Sequence, residues 1–243
     1  MNYEVVEGNI RASYRAVYQQ YRRDDEVEVE TENHRHFSAI LEGLSSSFPR
    51  KIRVLEAGCG TGRYFHCLKN VDELVGLDVC EEMLDAARTP VREEEITAER
   101  IQLLCGNIYL ASFPPHSFDL IYSIGMFGNG CPVTVEMLQK FHHWLTPGGR
   151  LFFNAIDEAT LAPAERLRKK AKRALLPVLP RSIKTRLNER QRQLPFFVLT
   201  RAGLDEIMKK TRFSEWEIQN HRCQSPLWKG VFLECAASKR AHK

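Results

Sequence analysis

The sequence predicts an α/β fold in which a mostly parallel, doubly wound sheet of seven strands carries helices on both faces. Short apolar runs alternate with amphipathic helical stretches from residue 51 to residue 156, and two further strand-like runs close the chain. Such alternation is typical of βαβ units with parallel strands. The two closing runs are joined by a Gln-Ser-Pro-Leu turn, which predicts a C-terminal antiparallel strand pair.

The predicted elements follow one another with short connections. The first 45 residues have helical periodicity, and their aromatic series Tyr14, Tyr18 and Tyr21 has the spacing of one helical face. Strands are predicted at 51–58, 73–79, 100–108, 118–125, 150–156, 214–223 and 229–238. Helices are predicted at 63–70, 80–88, 133–145 and 200–212, the last with a threonine near its N-cap position.

Composition limits the class of protein. Hydrophobic residues make up 43% and charged residues 27% of the 243 residues, which is ordinary for a chain that builds a substantial core. No run approaches the roughly 20 apolar residues of a membrane span, and the polar N-terminus has no apolar signal segment. The seven cysteines are scattered without a CxxC pair, so we expect no disulfide framework, no zinc cluster and a cytoplasmic location.

One segment concentrates the basic charge. Residues 165–192 hold eleven Lys/Arg and two Glu, a net of +9, which leaves the rest of the chain at −5 of the total +4. Three interpretations stay open, in decreasing order of preference. The segment is a solvated helix face, a site of peripheral attachment to an anionic membrane surface, or a site for a phosphate-bearing substrate or RNA.

The most informative motif is the glycine-rich stretch Val54–Gly62, which ends the first predicted strand. Gly58, Gly60 and Gly62 allow positive φ and close approach of a ligand to the backbone. A dinucleotide fingerprint, GxGxxG, would need glycine at position 63, where Arg63 stands. The loop therefore points to a nucleotide-like ligand at the carboxyl ends of the strands, but not to NAD.

Polar residues follow the next two strands at the same edge of the predicted sheet. Asp78 ends the second strand sixteen residues after Gly62, where a carboxylate can accept both hydroxyls of a ribose. Asn107 follows the third strand, and its amide offers both a donor and an acceptor. Ile108, beside it, can pack on a flat ring.

Four motifs in this order carry a family resemblance. They are the GxGxG loop with Glu56 two residues before it, Asp78, the Ser117–Ile121 stretch SFDLI, and the Leu145–Leu151 stretch LTPGGRL. Together they cover residues 52–153 and resemble the class I S-adenosylmethionine-dependent methyltransferases. The resemblance implies a Rossmann-like fold, S-adenosyl-L-methionine as co-substrate and no metal.

The resemblance also implies roles for individual residues. Glu56 would receive the ligand's ammonium group, Asp78 the ribose hydroxyls, and Asn107 and Ile108 the adenine. The predicted cofactor-binding residues are Glu56, Gly58, Cys59, Gly60, Gly62, Asp78, Val79, Met83, Asn107, Ile108 and Ser123. An N-terminal aromatic helix closes over the cofactor in related enzymes, so one of the tyrosines caps the site or packs on the core.

The resemblance predicts methyl transfer to an O or N atom of a small-molecule or lipid-like, amphiphilic acceptor. RNA or protein methylation, and a non-catalytic subunit that binds the cofactor, stay as alternatives. The sequence identifies no catalytic base. Polar groups available in the predicted loops are His34, Arg35, His36, Asn129, Asn154 and His221. Cys131 is similar in place to the nucleophile of 5-methylcytosine enzymes, but it lacks that family's flanking residues and is interpreted as a buried or loop cysteine.

The whole chain, 1–243, is predicted to form a single domain of this kind. Residues 1–48 form the N-terminal helical cap and residues 49–157 the cofactor-binding core. Residues 158–198 form a basic helical insertion, and residues 199–243 supply the C-terminal helix and strand pair.

Overall fold

The computed structural model of the chain describes residues 3–166 and 196–241. Its strands are β1 Ile52–Ala57, β2 Val71–Asp78, β3 Arg100–Cys105, β4 Phe118–Phe127, β5 Leu145–Ile156, β6 Glu215–Gln224 and β7 Lys229–Ser238. They form one sheet in the order β3-β2-β1-β4-β5-β7-β6. The first five pair in parallel, and β7 runs antiparallel between β5 and β6. The predicted fold class is confirmed.

Six α-helices whose bounds lie within the described residues surround the sheet. They are α1 Tyr3–Arg15, α2 Tyr18–Glu28, α3 Glu32–Ser46, α4 Glu81–Ala87, α5 Val135–Trp144 and α6 Arg201–Met208. Thr31, Thr134 and Thr200 cap α3, α5 and α6, and each side chain accepts a hydrogen bond from the backbone N–H three residues on. These bonds satisfy N–H groups that a helix start otherwise leaves free. The threonine expected at the start of the last helix is Thr200.

The core consists of two apolar layers, one on each face of the sheet. Phe37 and Leu41 of α3 pack with Leu84 of α4 against one face. Phe141 of α5 and Leu204 of α6 belong to the cluster on the other face. A sheet covered on both faces explains why its central strands are nearly continuous apolar runs.

The strand order changes direction between β1 and β4, which pair through Val54 and Leu120. The chain leaves β1 toward β2 and β3, and leaves β4 toward β5. Connections that diverge in this way open a crevice beyond the carboxyl ends of the two strands. The glycine-rich loop and the loop after β4 therefore meet at the same place.

The predicted helix at 63–70 is wrong, because only a 3₁₀ turn forms there, at Phe65–Cys67. Residues 64–68 are all buried. An amphipathic surface helix keeps one side in solvent, whereas no residue from 64 to 68 does. The apolar residues of this stretch are instead enclosed between the sheet and α3.

Asp119 of the SFDLI motif has a structural role. Its carboxylate accepts hydrogen bonds from the Arg50 guanidinium, the Arg53 backbone N–H and the Thr146 hydroxyl. Partial burial opposes ionisation, but these bonds lower the pKa of Asp119 below its ordinary value. They join β1, β4 and the LTPGGRL turn at the edge away from the crevice.

No helix among the described residues is both long and apolar enough to cross a membrane. All but the first two residues of the basic segment 165–192 lie outside the described residues.

Candidate active site

A cavity of about 360 Å³ lies at the carboxyl ends of the central strands, where the strand order changes direction. That volume suits a small organic ligand. Among the predicted cofactor-binding residues, those that line it are Glu56, Gly58, Cys59, Gly60, Asp78, Val79, Met83, Asn107 and Ile108. Gly62 and Ser123 do not line the cavity.

The glycine-rich loop presents open backbone to the cavity. Gly58 has φ +73° and Gly60 has φ +53°, both in the left-handed region that favours glycine. The backbone N–H groups of Gly58 and Cys59 both donate to the Leu77 carbonyl, at 2.8 and 3.1 Å. A Cβ on Gly60 would meet no atom within 4 Å, so the space beside this residue is free for a ligand.

Gly62 and Ser123 have structural positions instead. A Cβ on Gly62 would lie 2.7 Å from the ring of Phe65, so glycine is needed for packing. The Ser123 hydroxyl is buried and donates to the Ala57 carbonyl at 2.8 Å, which links β4 to β1 behind the cavity wall. Ser123, one of the predicted cofactor-binding residues, thus lies behind the lining of the cavity and not in it.

Asp78 joins the ends of two loops at the cavity wall. Its Oδ2 accepts the Gly60 N–H and its Oδ1 accepts the Cys80 N–H, both at 2.9 Å. Burial raises the pKa of the carboxyl, and the backbone hydrogen bonds oppose that rise. The carboxylate is thus held in place by backbone groups and remains accessible from the cavity.

Glu56 is 1% exposed, and its Oε2 accepts a hydrogen bond of 2.7 Å from the Tyr122 hydroxyl. Burial raises the pKa of Glu56 to about 8; the Asp78 charge adds to this and the Tyr122 bond opposes it. A cation against this carboxyl would favour its ionised form. Glu56 therefore suits a positively charged ligand group.

The loop after β3 is covered by α1. The Asn107 amide donates to Glu7 Oε2 at 3.1 Å, and its Oδ1 accepts the Tyr109 N–H at 2.9 Å. Arg11 of α1 donates to the Val79 carbonyl at 3.1 Å. The amide predicted to contact a ligand ring is thus placed beside an acidic residue of the cap.

The aromatic series of the cap is divided between two helices. The sequence predicts that the three tyrosines share one helical face. They do not, because α1 ends at Arg15 and α2 begins at Tyr18. Tyr14 and Tyr21 line the cavity, with ring centroids 5.7 Å apart in an edge-to-face arrangement, whereas Tyr18 does not line it. Two of the three tyrosines therefore close the cavity.

Two buried acidic residues of α2 hold this helix over the cavity through hydrogen bonds and an ion pair. Asp25 is fully buried, accepts the Thr61 hydroxyl and forms an ion pair with Arg63, the residue after the glycine-rich loop. Glu28 accepts the Ser225 hydroxyl at 2.6 Å, beside the β6–β7 turn. The cap is thus attached to both sides of the opening.

The cavity has two chemically different ends. We divide its lining by strand order: the motif end, beyond β1, β2 and β3, comprises Glu56, the loop Gly58–Gly60, Asp78 and Asn107. The hairpin end, on or beside β4, β5 and β7, comprises Asn129, Asn154, Trp228 and Phe232. The hairpin end has a stacked aromatic pair at its rim, since the rings of Trp228 and Phe232 lie 4.2 Å apart at an interplanar angle of 15°.

Asn154 is the polar centre of the hairpin end. It is completely buried, and its Oδ1 accepts the Gly125 N–H at 2.8 Å. Its Nδ2 has no hydrogen-bond partner among the described residues. A buried donor without a partner is costly, so a ligand atom that accepts from Asn154 Nδ2 would bind favourably.

The other polar candidates divide between the cavity and its surroundings. His34, Arg35, His36 and His221 do not line the cavity, while Asn129 and Asn154 do. Cys131 also lines it, and burial raises the pKa of its thiol to about 12. A raised pKa favours the protonated thiol at neutral pH and opposes a nucleophilic role.

Sequence reasoning missed the contributions of the cap helices and of the last hairpin to the cavity. The residues concerned are Glu7, Ile10, Asp24, Glu28, Asn33, Phe37, Cys223, Ser225, Leu227, Trp228 and Phe232. The tryptophan in the turn between the closing strands is the one local feature that could have indicated this wall, because large aromatic side chains seldom occupy such turns without a packing partner.

Comparison with known proteins finds methyltransferases that are similar to this chain. A family profile described as a methyltransferase domain matches residues 54–149. A demethylmenaquinone methyltransferase of Lactococcus lactis is 27% identical over 177 residues, which are 70% of this chain and 69% of the relative. A malonyl-[acyl-carrier protein] O-methyltransferase of Methylococcus capsulatus is 31% identical over 51% of this chain, and the match spans only 44% of that relative.

Solved structures agree with the fold. Magnesium protoporphyrin IX methyltransferase of Synechocystis, solved with S-adenosylhomocysteine bound, superposes with a TM-score of 0.62 at 13% identity. The superposition covers 95% of this chain and 98% of the other. At this identity the likeness concerns the fold alone.

Proposed function

Because this chain belongs to the class I S-adenosylmethionine-dependent methyltransferase family, we propose that it methylates an O or N atom of a small or lipid-like acceptor. The cofactor would occupy the motif end of the cavity, and the acceptor the hairpin end. The single observation that carries the acceptor assignment is the buried, unpartnered Asn154 Nδ2 in a chamber with aromatic walls.

The motif end fits the cofactor. The space beside Gly60 is free, so backbone can approach the ligand closely. Asp78 would accept the ribose hydroxyls, Asn107 would hydrogen-bond the adenine edge, and Ile108 would pack on the ring. Glu56, whose pKa is raised by burial, would pair with the ammonium group.

S-adenosylmethionine supplies, when bound, a methyl group on a sulfonium that is already activated for in-line displacement. The protein's task is then to align the acceptor and exclude water. Tyr14 and Tyr21 close the cavity from the cap, and Asp25 and Glu28 hold that cap in place.

The described lining contains no histidine. Its inner carboxylates are engaged: Glu28 accepts Ser225 and Asn33, Asp78 accepts two backbone N–H groups, and Glu56 accepts the Tyr122 hydroxyl. We therefore propose that the chain positions an acceptor that is nucleophilic by itself. Asn154 would donate to an oxygen of that acceptor and fix its orientation.

The two curated relatives carry different acceptors in their names, demethylmenaquinone and malonyl-[acyl-carrier protein], so relatedness does not select one. The cap supports a small acceptor over RNA or a folded protein, because its fastened helices cover the motif end. The aromatic pair Trp228 and Phe232 supports an acceptor with an apolar part.

The test follows labelled methyl groups. The purified chain is incubated with methyl-labelled S-adenosylmethionine and cell extract, and the products are separated into small-molecule and lipid, RNA, and protein fractions. We expect label in the first fraction, and loss of label with Asp78→Ala. Label confined to RNA or protein, or cofactor binding without any transfer, would overturn the proposal.

A further inference from the structure

A second group of chemically active side chains lies outside the cavity. His34 belongs to the first turn of α3, and His66 and Cys67 belong to the 3₁₀ turn that follows the glycine-rich loop. All three are buried, with exposures of 1%, 5% and 5%. They bring two imidazoles and a thiol together from positions more than thirty residues apart.

The donor atoms of these side chains converge. His34 Nε2 lies 3.2 Å from His66 Nε2, and Cys67 Sγ lies 3.5 Å from His66 Nε2 and 3.8 Å from His34 Nε2. Tetrahedral Zn²⁺ with Zn–N bonds of about 2.0–2.1 Å and a Zn–S bond of about 2.3 Å places two nitrogens about 3.4 Å apart, and a nitrogen and a sulfur about 3.6 Å apart. The observed spacings agree with those values to within a few tenths of an ångström.

One hydrogen bond can join the facing Nε2 atoms of His34 and His66. A neutral imidazole has one proton, so between the facing Nε2 atoms only one ring can donate. The Nδ1 atoms of both histidines are buried and have no partner among the described residues. A cation between the two Nε2 atoms would engage both lone pairs at once, with the proton of each ring then on Nδ1.

We propose that His34, His66 and Cys67 form a zinc site, with both Nε2 atoms and the Cys67 thiolate as ligands. When the Zn–S bond forms, the thiol proton leaves to solvent and no electrons are transferred. The Ser38 hydroxyl, 3.0 Å from Cys67 Sγ, donates to the thiolate and supports it. Three protein ligands leave the fourth position to water.

A metal ion at this site would link α3 of the cap to the 3₁₀ turn at Phe65–Cys67. His34 lies at the start of α3, while His66 and Cys67 follow the glycine-rich loop directly. The Tyr64 ring, which lines the cavity, stacks on the His34 ring at 5.0 Å between centroids. Zinc would thus stabilise the segment in which the expected helix is replaced by a 3₁₀ turn.

The other cluster of histidines differs and serves as a control. His36 and His221 stack face to face at 4.0 Å with an interplanar angle of 2°, so their ring lone pairs run parallel instead of converging. His36 Nε2 already contacts both oxygens of Glu234, at 2.8 and 3.0 Å. The cluster contains no thiol.

The experiment uses Co²⁺ as a spectroscopic substitute for Zn²⁺ in the full chain after removal of metal by a chelator. We expect one Co²⁺ per chain, a thiolate-to-cobalt charge-transfer band with the intense visible bands of a tetrahedral ion, and loss of all of them when Zn²⁺ is added. Absence of these bands in the parent protein would overturn the proposal without any variant.

Variants locate the site. Cys67→Ser should abolish the charge-transfer band and weaken Zn²⁺ binding at least about 100-fold, the upper range for losing a partner that merely supports a ligand. Cys105→Ser, at the exposed cysteine, and His36→Asn should keep the band. A band that survives Cys67→Ser, or that disappears with His36→Asn in a folded variant, would contradict the assignment.

Discussion

The two ends of the cavity are built in different ways. The motif end consists of backbone groups and buried carboxylates whose positions are set by neighbours close in sequence or on adjacent strands, as Asp78 is by Gly60 and Cys80. The hairpin end consists of side chains from separate elements, such as Asn154 of β5 and Trp228 of the last turn. The first end suits a fixed ligand common to a family, and the second suits a ligand that varies.

The largest expected effect concerns the cap that covers the motif end. Asp25→Ala leaves the Arg63 guanidinium, whose side chain is 21% exposed, without its fully buried partner, so the loss should be about 3 kcal/mol, the low end for a broken buried ion pair. Chemical denaturation should show this loss in the free energy of unfolding. Glu26→Ala, which removes an exposed pair with Arg22, should change it by about 0.5 kcal/mol or less. Equal effects would mean that Asp25 does not fasten the cap.

The next largest effect is expected on the affinity for S-adenosylhomocysteine, which depends on the motif end alone. Asp78→Ala should weaken S-adenosylhomocysteine binding by about 1.5–3 kcal/mol, the range for losing a charged hydrogen-bond partner. Gly60→Val should weaken it at least as much, because a side chain would fill free space and strain a backbone at φ +53°. Calorimetry on folded variants measures both, and parent-like affinity in the two would place the cofactor elsewhere.

A pH dependence should distinguish Glu56 from the other residues of the motif end. If its carboxylate pairs with the ligand's ammonium, binding must first ionise a group with a pKa of about 8. Affinity for S-adenosylhomocysteine should then rise about tenfold per pH unit from about pH 6 to pH 8. Glu56→Gln should bind more weakly and lose this slope; a slope unchanged in the variant would exclude Glu56 as its source.

The same residue affects stability with a definite sign. Its folded pKa is raised from 4.5 to about 8, so between these values the folded chain holds a proton that the unfolded chain releases. The contribution to the free energy of unfolding is fully present below pH 4.5 and is lost as pH rises toward about 8. Glu56→Gln should flatten this decline.

The smallest effect is expected at the hairpin end and only with the acceptor present. Asn154→Leu removes the free amide donor, so kcat/KM for the acceptor should fall about 3- to 10-fold, as for one neutral hydrogen bond. S-adenosylhomocysteine affinity should stay within about twofold of the parent, since Asn154 belongs to the other end. An equal loss in both measurements would show that the two ends are not separate.

The same contrast explains what the sequence predicts. The sheet, the glycine loop and Asp78 follow from contiguous patterns, because strand ends place them together in any fold of this class. The sequence identifies Asn154 only as an available polar group, since nothing local indicates that its Nδ2 lacks a partner. Trp228 and the cap carboxylates Asp25 and Glu28 reach the cavity through long-range packing, which no short motif encodes.

The error at 63–70 has a related cause. Tyr64, Phe65, Cys67 and Leu68 resemble a helical apolar pattern, but burial of every residue between 64 and 68 depends on α3 lying over the segment. The same packing brings His34 to Cys67, so the ligand spacing expected for zinc could not be seen in the sequence.

The most direct test of the account is titration calorimetry of the parent protein with S-adenosylhomocysteine and, separately, with NAD. We expect one S-adenosylhomocysteine bound per chain, because the backbone at Gly60 is open and the Asp78 carboxylate faces the cavity. We expect no heat of binding with NAD, because an arginine stands at position 63 where a dinucleotide fingerprint needs glycine. Binding of NAD without any response to S-adenosylhomocysteine would contradict the assignment of the motif end.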